Sequence, residues 1–151
     1  MAVRGFEVIR SYMARDIQLP KRKTIASAGY DIEAGEKTVL KAQKVSLIPT
    51  GLKAYMQKDE YLGIHIRSGF SIKNMVTLIN SQGIIDADYY NNVDNEGHIM
   101  LAVFNHNEED VMIEKGMRIA QGVFYKYLTT DDDCVHESAI RQGGMGSTGE
   151  K

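Results

Sequence analysis

The chain has 151 residues, enough for one domain with its own core, and with 43% hydrophobic and 25% charged residues its composition is that of an ordinary globular protein. Its formal net charge is -2, with no long basic block, which excludes nucleic-acid or anionic-membrane binding by bulk electrostatics; a small phosphate ligand needs only a few local cations. The one cysteine, Cys134, excludes an internal disulfide and an all-cysteine metal site, and without an apolar leader or a bilayer-length apolar run the expected location is the cytoplasm.

In chain order, residues 5–10 alternate as a first strand, and residues 15–23 are a polar loop containing Pro20. Ala26-Ser27-Ala28-Gly29-Tyr30-Asp31-Ile32-Glu33-Ala34 follows. It suits either backbone packed closely against something, with Asp31 directed into it, or a tight turn into a strand. A strand pair broken at Pro49-Thr50-Gly51 is expected over residues 45–55, and residues 60–67 alternate into another strand. That strand runs into Arg67-Ser68-Gly69. A guanidinium grips two oxygens and glycine lets the backbone approach, so the triplet suits an oxyanion; the alternative is a surface arginine before an ordinary cap. The residues after it can form one helical turn, whose N-terminal amides also favour an anion.

The central stretch is Asn80-Ser81-Gln82-Gly83-Ile84-Ile85-Asp86-Ala87-Asp88-Tyr89. Val76-Thr77-Leu78-Ile79 is strand-like and Gly83 supplies a turn, so Ile84-Ile85 reads as the return limb of a hairpin. An apolar limb that ends on Asp86 holds a carboxylate at a cleft edge, a suitable place for a general base. The plainer reading makes Asp86 and Asp88 turn residues that accept backbone hydrogen bonds. Residues 90–97 form a polar loop, 98–105 a strand, and 107–110 a solvated turn into Val111-Met112-Ile113. Over residues 115–125, period two puts Ile119, Gln121 and Val123 on one face, so Gln121 either finds a partner in the interior or faces a site. No long window holds a helical period, and many short strands between turns predict an all-β sandwich or barrel. The expected organisation is a β domain over residues 1–128, a charged linker over 129–140 and a mobile glycine-rich arm over 141–151. That arm has almost nothing to bury but carries phosphate-binding groups in Arg141, Ser147, Thr148 and its glycine amides.

Together these segments resemble the trimeric deoxyuridine triphosphatase family, whose members carry five short motifs in fixed order. The counterparts are Ala28-Gly29-Tyr30-Asp31-Ile32-Glu33-Ala34; Arg67-Ser68-Gly69; Gly83-Ile84-Ile85-Asp86-Ala87-Asp88-Tyr89 with Asn80 upstream; Gly116-Met117-Arg118-Ile119-Ala120-Gln121; and Arg141 with Gly143-Gly144-Met145-Gly146-Ser147-Thr148-Gly149. The resemblance implies a jelly-roll β protein with one short helix and a flexible tail, forming a homotrimer whose active sites are each assembled from three chains. It also implies Mg2+-dependent hydrolysis of dUTP to dUMP and pyrophosphate, which keeps uracil out of DNA and supplies dUMP for thymidylate synthesis.

By the same resemblance, the backbone from Asn80 through Gly83 to Ile84, with the Asn80 side chain, would read the uracil edge. Tyr89 would lie against the deoxyribose and leave no room for a 2′-hydroxyl. Asp86 would orient and deprotonate the water that attacks the α-phosphorus. Arg67, Ser68, Gly69, Gln121 and the arm's Arg141, Ser147 and Thr148 would hold phosphates, with Met145 and Gly146 closing over the nucleotide. Asp31 would act from just outside the metal's own ligands, Mg2+ being held mainly by phosphates and waters, with no direct protein ligand. Three positions depart from the family pattern: Ile66 replaces a common Pro, Tyr90-Asn91-Asn92 and several extra residues replace Arg-Gly, and Met145 replaces the Phe that stacks over uracil. The extra residues resemble members from low-GC Gram-positive bacteria and their phages, some of which bind a repressor protein, a second kind of partner for a loop such as 90–97. A dCTP deaminase of the same fold is the enzymatic alternative, distinguished by a dedicated general acid/base carboxylate after the central hairpin.

Overall fold

The computed structural model describes residues 1–133, 135, 141, 143 and 144. Short apolar runs cut by turn residues become strands β1 (Gly5–Val8), β2 (Tyr30–Glu33), β3 (Thr38–Leu40), β4 (Val45–Pro49), β5 (Leu52–Tyr55) and β6 (Glu60–Ile66). After helix α1 (Ser68–Asn74) come β7 (Val76–Leu78), β8 (Gly83–Asp86), β9 (Met100–Asn105), β10 (Val111–Ile113) and β11 (Arg118–Lys126). Every pairing is antiparallel: a four-stranded sheet ordered β2-β11-β6-β8, a three-stranded sheet β4-β9-β7, and the ribbons β1-β5 and β3-β10. This is the all-β jelly roll that the sequence predicts.

The sheets enclose one apolar core. Ile32 of β2, Leu62 and Ile64 of β6, Ile119 and Ala120 of β11, Ile48 of β4, Leu101 and Val103 of β9, and Leu40 of β3 are all almost completely buried. Each such aliphatic side chain contributes about 1.5–3 kcal/mol relative to exposure. Phe70, also buried, pins α1 to this core. The helix ends where Met75 takes a left-handed φ of 52°, with its N–H donating to the Ser71 carbonyl.

Three sequence expectations are corrected. The limbs on either side of residues 79–82 do not pair with each other: β7 pairs with β9, whereas β8 pairs with β6. Ile79 still donates to the Ala102 carbonyl of β9 (2.9 Å), then Ser81 adopts φ 63° and the chain crosses to the other sheet, where Gly83 lies opposite Ile64. Likewise, the strands around Pro49-Thr50-Gly51 join different partners, β4 going to β9 and β5 to β1. Alternation marks a segment as a strand but does not say which strand completes its hydrogen bonds. The third correction is in β11, where the register shifts between Arg118 and Ala120. Ile119 and Ala120 are therefore both buried, and Gln121 lies on the face opposite the buried Ala120 and Gly122, out of phase with Ile119.

Candidate functional site

Two groups of polar residues lie at opposite ends of the β6-β8 pair. At the C-terminal end of β6, the Arg67 N–H donates to the Ile119 carbonyl (3.0 Å), which fixes the strand exit against β11. The Arg67 side chain pairs with Asp31 (Nε to Oδ1, 3.3 Å), and Arg118 approaches the other oxygen of the same carboxylate (3.5 Å). Asp31 and Gln121 are register partners across β2 and β11. Arg67, Ser68, Gly69, Gln121 and Asp31 line one open cleft of about 260 Å³ together with Lys23, Ser27 and Gly29. The sequence-predicted phosphate-binding residues of the main domain are thus brought together, with hydroxyl, guanidinium and amide donors on one side and a single carboxylate on the other.

Two glycines shape this cleft in opposite ways. A Cβ on Gly29 would sit 2.3 Å from Gln121 Oε1, so the glycine is what lets the Gln121 side chain occupy its place. Of the two readings of residues 26–34, this supports close packing. A Cβ on Gly69 would meet nothing within 4 Å, so its open side faces free space from which a ligand can reach the backbone. Lys23 went unnoticed in the sequence, inside a loop read only as polar. Its signal was the run Lys21-Arg22-Lys23, held beside β2 by the bridge between Lys21 and Asp31.

The other group is Asp86, Asp88 and Tyr89. Asp86 lies opposite Tyr61 in the β6-β8 register. From position 61 to position 67 the strand advances roughly 20 Å at about 3.3 Å per residue, so one chain does not bring Asp86 to the Arg67 cleft. Asp86 instead meets Arg141 (Nη2 to Oδ2, 2.5 Å), which also holds Asp88 (Nε to Oδ1, 2.8 Å) and lies over the Tyr89 ring at 5.8 Å. Gly144 follows onto Asp94, its N–H 3.4 Å from Oδ2. The root of the arm, expected to have too little apolar area to dock, is seated here by charge-assisted hydrogen bonds rather than by apolar contact. Met145, Gly146, Ser147 and Thr148 lie outside the described residues, as does Cys134.

Tyr89 is 7% exposed. Its Oη donates to the His98 carbonyl (2.7 Å) and accepts from Asn95 Nδ2 (2.8 Å). Burial raises the pKa of this phenol above its ordinary value, while Asn95 and the Arg141 charge pull the other way. His98 is pushed below the usual histidine range by burial, against the opposing pull of Glu36 and Glu96, and its Nε2 accepts the Gly51 N–H at 2.9 Å. Asn80, at the crossing turn, is exposed, as is Ile84 on the outer face of β8; Gly83 is half-buried.

The donor set fits a cation carried in by an anionic ligand better than one caged by protein. One carboxylate, Asp31, stands in the cleft, and no group of three or more His, Cys, Asp or Glu side chains converges among the described residues. No helix among them is long and apolar enough to cross a membrane.

An antiparallel jelly roll with an arginine-serine-glycine cleft at the end of its central strand defines a β protein equipped for an anionic ligand. Residues 15–149 match the family model described as dUTPase. The chain is 52% identical over 149 residues to the deoxyuridine 5'-triphosphate nucleotidohydrolase of Lactococcus lactis, covering 99% of both chains. It is 39% identical over 137 residues to the enzyme of the same name from Rickettsia bellii, covering 87% of each. Among solved structures, a dUTPase from Streptococcus mutans superposes with a TM-score of 0.81 at 46% identity, covering 84% of this chain and 98% of that one. The dUTPase from phage phi11 of S. aureus shares the fold, with a TM-score of 0.73 at 20% identity over 91% of this chain and 100% of that one. The chain belongs to the dUTPase family.

Proposed function

We propose that this protein hydrolyses dUTP to dUMP and pyrophosphate at sites completed between copies of the chain. The family match over residues 15–149 and the named relatives support the reaction. The observation that carries the shared site is the split within one chain. The phosphate-gripping cleft lies at one end of β6, while Asp86 and Tyr89 lie at the other, roughly 20 Å away at about 3.3 Å per residue. A water activated at Asp86 reaches a phosphate held by Arg67 only if the two come from different copies, which a homotrimer supplies.

In this reading Asp86 orients the attacking water and takes its proton as the new oxygen-phosphorus bond forms at the α-phosphorus. The bond to the bridging oxygen breaks in line, and pyrophosphate leaves with that oxygen. Arg67, Ser68, the Gly69 amide and Gln121 hold the phosphate chain, and Lys23 adds a nearby cation. Asn80 and the backbone of Gly83 and Ile84 read uracil, and Tyr89 packs against the sugar. Arg141 moves from Asp86 and Asp88 to the phosphates, frees the base, and draws Met145, Gly146, Ser147 and Thr148 over the nucleotide. Mg2+ bound with the nucleotide would neutralise phosphate charge, and Asp31 is the cleft carboxylate that would help hold it there from outside its direct ligands.

Subunit complementation tests this arrangement. Asp86→Asn and Arg67→Ala chains, each inactive alone, should regain a fraction of wild-type pyrophosphate release from dUTP when unfolded together and refolded as mixed oligomers. No recovery at any mixing ratio would show that both groups act within one chain. Side-by-side turnover of dUTP, dCTP, dTTP and UTP fixes the substrate.

A further inference from the structure

Residues 90–97 stand where the family pattern has a shorter turn, and they are organised around one side chain. We infer that Asn95 is the positioning residue that fixes the Tyr89 ring, making this loop a determinant of sugar discrimination. The inference rests on the reading of Tyr89 as the residue that packs against the deoxyribose.

The Asn95 amide divides its work. Its nitrogen faces outward from the loop and donates to Tyr89 Oη (2.8 Å). Its oxygen faces inward, accepting from Asn92 Nδ2 (2.8 Å) and from the Gly97 N–H (3.0 Å). Asn92, itself buried, closes the loop: its Oδ1 accepts the N–H groups of Asp94 (3.0 Å) and Asn95 (3.1 Å), and its Nδ2 also reaches the Tyr89 carbonyl (2.8 Å). The base of the loop is held by Lys53, a largely buried ammonium that donates to Asn91 Oδ1 (2.6 Å) and Glu96 Oε2 (2.8 Å). Gly97 turns the chain back at φ 89°, where a Cβ would lie 2.8 Å from the Tyr89 carbonyl.

A phenol has one hydrogen to give and a lone pair to receive with. Both roles of Tyr89 are taken, one by the His98 carbonyl and one by Asn95, so the ring has little freedom to tilt or withdraw. A steric barrier to a single hydroxyl works only if it does not yield. A ring that swings by a few tenths of an ångström admits the larger sugar, because specificity is the difference between two substrates and not the affinity for one. The same amide also lies under the arm: a Cβ on Gly144 would come within 2.8 Å of Asn95 Nδ2. The loop thus serves the sugar-facing ring and the seat of the arm together.

Asn95→Asp is the matched probe. It replaces the donating nitrogen with an oxygen, adds one negative charge, and keeps the oxygen that Asn92 and Gly97 use. The expected result is a rise of about 5- to 20-fold in the UTP/dUTP ratio of kcat/KM, the size of one lost hydrogen bond, with the melting temperature and kcat on dUTP nearly unchanged. Tyr89→Phe, which leaves the loop untouched, should give a rise of similar size. In the Tyr89→Phe background Asn95→Asp should add nothing, because its partner atom is gone. The inference is overturned if Tyr89→Ala raises the ratio while Asn95→Asp and Tyr89→Phe do not, or if Asn95→Asp acts equally in the Tyr89→Phe background. An unchanged ratio in Tyr89→Ala would instead remove the reading of Tyr89 itself. Tyr89→Phe removes the bonds to both Asn95 and the His98 carbonyl, so should Asn95→Asp not fold, Asn95→Ser, which also lacks the amide nitrogen, is read in its place.

Discussion

The two ends of the β6-β8 pair solve the problem of holding a charged ligand differently. At the Arg67 end, the cations sit on strand ends and a short helix, share one carboxylate in Asp31, and leave an open cleft that needs only the ligand. At the Asp86 end, the carboxylates sit beyond a strand tip beside a loop, and the chain's own Arg141 already covers them. The first end is open; the second is covered by Arg141, which in the proposed reading leaves before Asp86 acts. In the proposed reading these two ends are halves of one site that different copies of the chain complete.

Five changes test this contrast, the first at the covered end. Asp86→Asn keeps the shape and hydrogen bonding but cannot accept the water's proton. Turnover at saturating dUTP should fall on the order of 10²- to 10⁴-fold with nucleotide affinity retained. Wild-type kcat in this variant would mean that the proton goes elsewhere.

Ending the chain at residue 140 takes Arg141 off Asp86 and, in the proposed reading, also removes the phosphate contacts of Arg141, Ser147 and Thr148. A loss of about 10²-fold in kcat/KM is expected, with thermal stability little changed. Undiminished hydrolysis would show that the arm does not close over the site. Restoring an aromatic ring with Met145→Phe in the full chain should improve kcat/KM a few-fold, since stacking adds about 0.5–1.5 kcal/mol beyond area burial.

Gly29→Ala probes the open end. The added methyl would begin 2.3 Å from Gln121 Oε1 and must displace that side chain. A rise of about 10-fold in KM for dUTP is expected with the fold intact, in line with the loss of one or two phosphate hydrogen bonds. An unchanged KM would mean that Gln121 does not touch the substrate.

The smallest effect concerns His98, whose half-buried imidazole lies between the Gly51 N–H and the Tyr12 ring, 5.1 Å away between centroids, with Glu36 and Glu96 as the carboxylates that oppose its shift. Its folded pKa is depressed below the unfolded value near 6.5, so the unfolded chain binds the extra proton first as pH falls. Stability contributed by the neutral ring is fully present above about pH 6.5 and is lost progressively as pH drops through the lower folded value. The melting temperature should therefore fall between pH 7 and pH 5, and His98→Gln should flatten that part of the profile. The same slope in both proteins would assign it to other groups.

The sequence by itself determined most of the strand content and the placing of the turns. Local alternation, β-branching and glycine placement are properties of a few neighbouring residues, whereas Arg67-Ser68-Gly69 and Asp86 each carry a plainer reading that only the five motifs in order outweigh. Partnership was not legible. Residues 76–86 read as a hairpin, yet each limb joined a different, longer strand, because cross-strand hydrogen bonds are completed by whatever edge the whole fold presents. That Gln121 faces the cleft is one of the two readings the sequence leaves open; that it lies out of phase with Ile119 was not legible, because one residue of bulge inverts the alternation and nothing in Arg118-Ile119-Ala120 announces it. Lys23 and Asn95 carry no motif at all; they matter only through what lies beside them. Only the tertiary structure decided that the cleft and the carboxylate stand at opposite ends of one strand pair, because separation in space depends on register and direction, which no local pattern encodes.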